Sequence, residues 1–326
     1  MHKKYKQAAK IINSSGRILV ISHRKPDADT LGSAIALRLY LETLGKQVTL
    51  ACIDKPSKDF SFLPLIDEYV KEFDLDDFDL IIIVDAGASY LTDFHLKYSN
   101  LFESLPIINI DHHASNDNFG LINIVDPLAP SATVIVYRML KNLEVDIDSN
   151  IATCLLAGIY GDTGGFMHSN TTKEVYEISA SLMQNGADVK AISTSLFASK
   201  SVRALRLWGK VLEGAQITDD NVVMSVLKDE DFEAVGSDPN YLTGVVDYLN
   251  MVPDTKFAVL LNEDRQGNVK GSFRTRNDDI DLSKVAAVFG GGGHPKASGF
   301  KLPGKLLGEL KYTIVSGDMS KRSLEF

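Results

Sequence analysis

Residues 17–33 read Arg-Ile-Leu-Val-Ile-Ser-His-Arg-Lys-Pro-Asp-Ala-Asp-Thr-Leu-Gly-Ser. The first six form a short β-branched run, which predicts a strand buried on both faces. Polar chemistry begins where that run stops. A helical pattern follows over residues 34–44, with Gly45 as its stop. The same unit recurs: QVTLAC (47–52), LIIIV (80–84) and IINI (107–110) are further short apolar runs. Strands alternating with helices predict an α/β domain with a mostly parallel sheet and helices on both faces.

From residue 131 to about 214 the apolar spacing turns helical. A new mixed pattern follows, with strand-like VVMSVL, KFAVLLNED and VKGSFRT, and a hairpin turn at Gln266-Gly267-Asn268. The expected organisation is a catalytic metal-binding domain (1–188), a helical linker (189–214) and a smaller mixed α/β substrate-binding domain (215–326). No internal repeat or low-complexity tract interrupts it.

The chain has 326 residues, 44% of them hydrophobic, enough for two cores. Its net charge is 34 − 43 = −9. No basic stripe is present of the kind that neutralises a long run of phosphates, which argues against a groove for long nucleic acid. No segment approaches the ~20 apolar residues of a membrane helix. A soluble, cytoplasmic protein is the default expectation. Cys52 and Cys154 both lie in apolar surroundings, as small buried hydrophobes of a reduced protein do.

Three expected strands end alike. RILVIS runs into His23, Asp27 and Asp29; LIIIV into Asp85; IINI into Asp111, His112 and His113. In parallel α/β sheets ligands bind beyond the carboxyl ends of strands, so these groups converge on one edge although distant in sequence. Singly, an aspartate after a strand is an ordinary cap or turn residue, and Asp29 could cap the helix it precedes. Together, four carboxylates and three imidazoles repel and desolvate badly without positive charge among them. Divalent metal is the economical answer, and mixed His/Asp ligation suits an ion such as Mn²⁺. The ligand count favours two ions, with an aspartate bridging them about 3.5–4 Å apart for attack on phosphorus.

Two further motifs stand out. In Gly161-Asp162-Thr163-Gly164-Gly165-Phe166 the acid follows an apolar helix, which alone reads as a plain turn. The run Gly290-Gly291-Gly292-Gly293-His294 follows an expected helix at 282–289. Such glycines let backbone approach a ligand and offer amides to an anion, with Arg274, His294 and Lys296 at hand for phosphate or base contacts.

The HxxPDxDxxGS string (23–33), VDAG (84–87), Asp111-His112-His113, GDTGGF and GGGGH resemble the motifs of the DHH phosphoesterase superfamily. The last motif resembles its branch with a DHH-associated C-terminal domain, and size and motif order are similar to the small bacterial oligoribonuclease/pAp phosphatases, or nanoRNases. The resemblance spans roughly residues 10–301. It implies two Mn²⁺, with Mg²⁺ or Co²⁺ as substitutes: one held by His23, Asp27 and Asp85, the other by Asp29, Asp85, His112 and Asp162. It implies that Asp111 orients His112, that His113 faces the scissile phosphate, and that Arg274, Gly291, Gly292, Gly293 and His294 grip the substrate. Departures are Ala28 and Thr30, where relatives commonly carry Gly and Ala, and Ser298, where Ala is usual; the Thr30 hydroxyl is expected near the metals.

The implied activity is two-metal hydrolysis of short nucleotides: RNA of two to five residues, and the 3′-phosphate of pAp. Cyclic dinucleotide or linear pApA cleavage is the alternative. The resemblance also raises the expectation of a homodimer.

Overall fold

The computed structural model describes residues 1–198, 200–308, 311–315 and 321–325. The chain divides into two compact units, Met1–Ser199 and Lys200–Phe326.

In the first unit α1 (His2–Ser14) leads into β1 (Arg17–Ser22), α2 (Ala28–Thr43), β2 (Gln47–Ala51), β3 (Leu80–Val84) and the short α3 (Leu101–Ser104). Then come β4 (Ile107–Asp111), β5 (Ile122–Val125), α4 (Ala132–Asn142), α5 (Ser149–Asp162), α6 (Lys173–Gln184) and α7 (Val189–Ser193). The five strands are parallel, in the order β2-β1-β3-β4-β5. This is the expected α/β class. Strand β5 is an addition to the sequence reading: Ile-Asn-Ile-Val is only four residues long, half-buried at alternate positions and polar in its middle.

Side chains of the central strands alternate between two cores. Ile18, Val20, Leu80, Ile82 and Val84 pack with α2, α4 and α5 on one face. Leu19, Ile21, Ile81 and Ile83 face Phe94, Leu101 and Ile107, under short helical turns, on the other. That two-sided burial is why β3 carries no polar residue and β1 none between Arg17 and Ser22. Helix α2 starts at Ala28, earlier than the expected residue 34, because the Asp27 side chain accepts from the amides of Asp29 and Thr30 and caps it. Its first three turns are almost wholly buried beneath α5. At Gly158 of α5 a Cβ would lie 2.4 Å from Thr133 Cγ2 and 2.6 Å from Asp29 Oδ1, so only glycine allows the approach.

The second unit holds α8 (Val202–Glu213), β6 (Gln216–Ile217), β7 (Val223–Leu227), α9 (Asp229–Val235), α10 (Val245–Leu249), β8 (Ala258–Asp264) and β9 (Asn268–Arg274). After these come α11 (Leu282–Val288), β10 (Gly292–His294), β11 (Ala297–Pro303), β12 (Lys311–Val315) and β13 (Lys321–Glu325). Its main sheet runs β10-β11-β9-β8-β7-β6 and is mixed, with only β7 and β8 parallel. The stretch expected as a linker does not stand apart. Ile192 of α7 is buried in the first unit's core, while Leu207, Trp208 and Val211 of α8 are buried with Phe232 and Leu249 in the second. An amphipathic helix with that many large apolar groups needs a core to cover them. Among the described residues, no helix is long and apolar enough to cross a membrane.

Candidate metal centre

In a parallel sheet of order 2-1-3-4-5 the connections change direction between β1 and β3, and a crevice opens beyond their carboxyl ends. His23 follows β1 and Asp85 follows β3, so the two enter that crevice from neighbouring strands. Asp111 ends β4, with His112 and His113 just beyond. Asp27 and Asp29 stand at the start of α2, and Asp162 is the last residue of α5, which packs on α2.

The structure brings the expected ligands together in three overlapping groups: His23, Asp27 and Asp85; Asp29, His112 and Asp162; and Asp85, His112 and His113, each with donor atoms within 4.8 Å of one another. The Asp85 carboxylate is common to two of them. Its Oδ2 lies 3.4 Å from His23 Nε2, and its Oδ1 lies 3.4 Å from His112 Nε2. His112 Nε2 is also 3.4 Å from Asp162 Oδ2 and 4.0 Å from Asp29 Oδ2, and His23 Nε2 is 3.8 Å from Asp27 Oδ1. These gaps exceed the 2.7–2.9 Å of a charge-assisted hydrogen bond. They match donor atoms placed around a shared centre about 2.1 Å from each.

Three features fit divalent metal. Asp85 Oδ1 is buried and has no hydrogen-bond partner, which a cation would supply. Asp85 also adopts a left-handed φ of 55°, uncommon for a residue with a Cβ, which places its carboxylate between the two histidines. His23 Nδ1 lies 2.7 Å from the Arg24 carbonyl; it donates there as Nδ1–H and leaves Nε2 to ligate, the usual outer partner of a metal-binding histidine.

The electrostatics point the same way. Burial opposes charge on His23, but Asp27 and Asp85 outweigh it and push its pKa up to about 12. His112 is pushed up to about 11, burial being overcome by Asp85, Asp29 and Asp162. Burial opposes the charge on Asp85 too, but His112 and His23 hold its carboxyl well below the usual range. Asp29 rises to about 7, through burial first and then the charge of Asp85, and Asp162 rises for the same kind of reason. The cluster draws positive charge into itself. A divalent cation meets that demand and leaves every acid ionised.

Asp29 does cap a helix, but not the one it begins. Its Oδ2 accepts from Ala132 N at 2.6 Å, and its Oδ1 from Thr133 N at 2.9 Å and Thr133 Oγ1 at 2.7 Å, so it sits on the first amides of α4. The expected pairing of Asp111 with His112 is corrected. Asp111 Oδ1 lies 2.8 Å from His113 Nδ1, because the backbone turns after β4 and sends the His112 ring toward Asp85 instead. The Thr30 hydroxyl is likewise not directed at the cluster; buried, it donates to the Val84 carbonyl at 3.2 Å and ties α2 to the end of β3. Sequence reasoning missed Thr133 and Asn116, whose side chain donates to Asp111 Oδ2 at 2.6 Å. The Ser131-Ala-Thr133 helix start was the one legible signal.

In the second unit, His294 and Arg274 are both register partners of Ala297, so three adjacent strands bring them to one row of the sheet. Arg274 Nε donates to Asp247 Oδ1 at 2.9 Å, and Lys296 Nζ pairs with Asp278 Oδ1 at 3.0 Å. Two amides of the glycine run are already engaged within the fold. Gly290 N and Gly291 N donate to the Ala287 and Ala286 carbonyls and close α11, while Gly292 and Gly293 are strand residues of β10, paired with β11. Helix closure has first claim on those amides.

Residues 17–159 match the DHH family, N-terminal domain, and residues 219–315 match the DHHA1 domain. The chain is 30% identical over 308 residues to the bifunctional oligoribonuclease and PAP phosphatase NrnA of Thermus thermophilus, covering 93% of this chain and 89% of that protein. The structure is similar to that of an exopolyphosphatase-related protein from Bacteroides fragilis, with TM-score 0.87 and 25% identity over 94% of this chain and 93% of that one. RecJ of Thermus thermophilus, in complex with Mn²⁺, shares the fold at TM-score 0.55 and 15% identity, covering 92% of this chain and 52% of that one.

Proposed function

The chain belongs to the DHH phosphoesterase family, in the branch carrying a DHHA1 domain, and on that premise we propose that it hydrolyses short oligoribonucleotides and removes the 3′-phosphate of pAp. The observation that supports this most is the Asp85 carboxylate, whose two oxygens face two different histidines at the same 3.4 Å. A carboxylate so placed suits a pair of cations sharing it.

In this reading His23, Asp27 and Asp85 hold one divalent ion, and Asp29, Asp85, His112 and Asp162 hold the other, a mixed His/Asp set being suited to an ion such as Mn²⁺. Bound there, the ions supply a water of lowered pKa and neutralise charge on the phosphoryl oxygens. The protein residues do the rest. Thr133 and Ala132 fix the Asp29 carboxylate. His113, 42% exposed at its side chain and held by Asp111 at Nδ1, directs Nε2 at a substrate oxygen and, as the imidazolium, gives its Nε2 proton to the leaving group and is left neutral with its proton on Nδ1. Arg274 and His294, from one row of the second sheet, serve as the substrate's phosphate or base contacts.

Short substrates agree with the charge of −9, since nothing in the composition provides a long cationic track. The test is a substrate panel with Mn²⁺: pApA, pAp, cyclic di-AMP and a longer single-stranded DNA, with products separated by chromatography. The expected outcome is mononucleotide from pApA and AMP plus phosphate from pAp, both abolished in Asp85→Ala. Equal rates for wild type and variant, or turnover confined to the long DNA, would contradict the proposal.

A further inference from the structure

Behind the Asp111–His113 pair lies a buried amide relay that neither the family motifs nor the metal cluster requires. Asn116 is 9% exposed and Asn109 is fully buried. Asn116 Oδ1 accepts from Asn109 Nδ2 and from Asn118 N, both at 2.8 Å. Its Nδ2 donates to Asp111 Oδ2 at 2.6 Å and to the Ala86 carbonyl at 3.1 Å. The oxygen meets only donors and the nitrogen only acceptors, the third and longest being Asn109 Oδ1 at 3.5 Å, so the amide has one satisfied orientation. Asn109 Nδ2 continues the chain to Asn123 Oδ1 at 3.0 Å, and Asn123 is itself pinned at both ends to Gly120.

The relay has two ends that matter. One is Asp111, which has one oxygen on Asn116 and the other on His113 Nδ1. The other is Ala86, next to the left-handed Asp85. Between them the His113 ring lies over Gly87, where a Cβ would stand 3.1 Å from His113 Cγ. The loop after β4 is thereby fastened to the turn after β3. Without the Asn116 donor, Asp111 Oδ2 would be a buried acceptor lacking a partner, and the carboxylate would be free to rotate away from His113.

We infer that Asn116 is a positioning residue for the reaction: through Asp111 it holds the His113 ring with Nδ1–H on the carboxylate and Nε2 directed at substrate. The inference rests on the proposed phosphoesterase reading for its kinetic consequence, and on the hydrogen bonds alone for its structural one.

The test is a double-mutant cycle on pApA with Mn²⁺, using Asn116→Ala, His113→Ala and the pair together. Asn116→Ala should lower kcat about tenfold to a hundredfold, the usual cost of losing such an outer partner, with KM and Mn²⁺ stoichiometry little changed. In the His113→Ala background it should cost nothing further. Losses that multiply, so that Asn116→Ala cuts the rate by the same factor with or without His113, would overturn the inference. A second readout needs no turnover. In ¹H–¹⁵N spectra of the Mg²⁺-loaded protein, the His113 Nδ1 proton should be visible in wild type and lost to exchange in Asn116→Ala. The near-isosteric Asn116→Asp, which keeps the acceptor and places an oxygen against Asp111, should lose it as well. An equally protected proton in both variants would overturn the inference. If wild type cleaves nothing, the phosphoesterase reading fails, while this proton still judges Asn116.

Discussion

Asp29 and Thr133 are joined twice across 104 residues of sequence, through the Thr133 amide at 2.9 Å and its hydroxyl at 2.7 Å. One carboxylate thus faces the metal cluster and holds the start of a helix that packs on its own. Stability and metal binding are coupled at this position.

Removing that coupling should be measurable in urea melts. Thr133→Val keeps the shape and deletes one donor, so it should cost about 1–2 kcal/mol. Asp29→Ala leaves two amides and a hydroxyl without their acceptor and should cost about 3 kcal/mol or more. Unchanged midpoints in both would show that the contact carries no stability.

Gly158→Ala introduces a Cβ 2.6 Å from Asp29 Oδ1. Overpacking should cost about 1–3 kcal/mol and push the carboxylate out of place. A thermal melt and a Mn²⁺ titration of the same variant should both fall; a variant with wild-type values in both would contradict the packing described.

The two adjacent histidines should separate by assay. His112→Ala, which removes the imidazole facing Asp85, Asp162 and Asp29, should lose bound metal as read by atomic absorption after gel filtration. His113→Ala should retain metal yet lose activity by about 10²–10⁴-fold. The reverse assignment would show that the rings have been given each other's tasks.

Metal binding should depend on pH with a definite sign. The acids lift His23 and His112 far above neutrality, to about 12 and about 11, so protons compete with the ion throughout the neutral range. Ligation needs neutral imidazole, so Mn²⁺ binding releases protons and tightens as pH rises from about 6 to about 8. Calorimetry in buffers of different ionisation enthalpy measures that release. Affinity that is flat or falls with pH would refute it.

The parallel sheet and its cluster were legible because β1, β3 and β4 are short, mostly apolar runs and each is followed by a His or Asp. Periodicity reports which strands are covered, and chain order then fixes which edge receives the polar residues. The outer partners were not legible. Asp29 finds its hydrogen bonds on Thr133, 104 residues away, and Asn116 reaches back to Ala86, 30 residues away; both follow from how α4 and the loop after β4 fold onto the crevice. The local structure of the glycine run was not legible for a related reason. Its composition announces backbone freedom, but closing α11 takes the Gly290 and Gly291 amides, and Gly292 and Gly293 enter the edge strand β10.

The central claim is most directly tested by anomalous diffraction from crystals grown with MnCl₂. Two manganese peaks should appear, one among His23, Asp27 and Asp85 and the other among Asp29, Asp85, His112 and Asp162, with Asp85 touching both. No manganese in the crevice, or manganese bound only away from Asp85, would contradict the account.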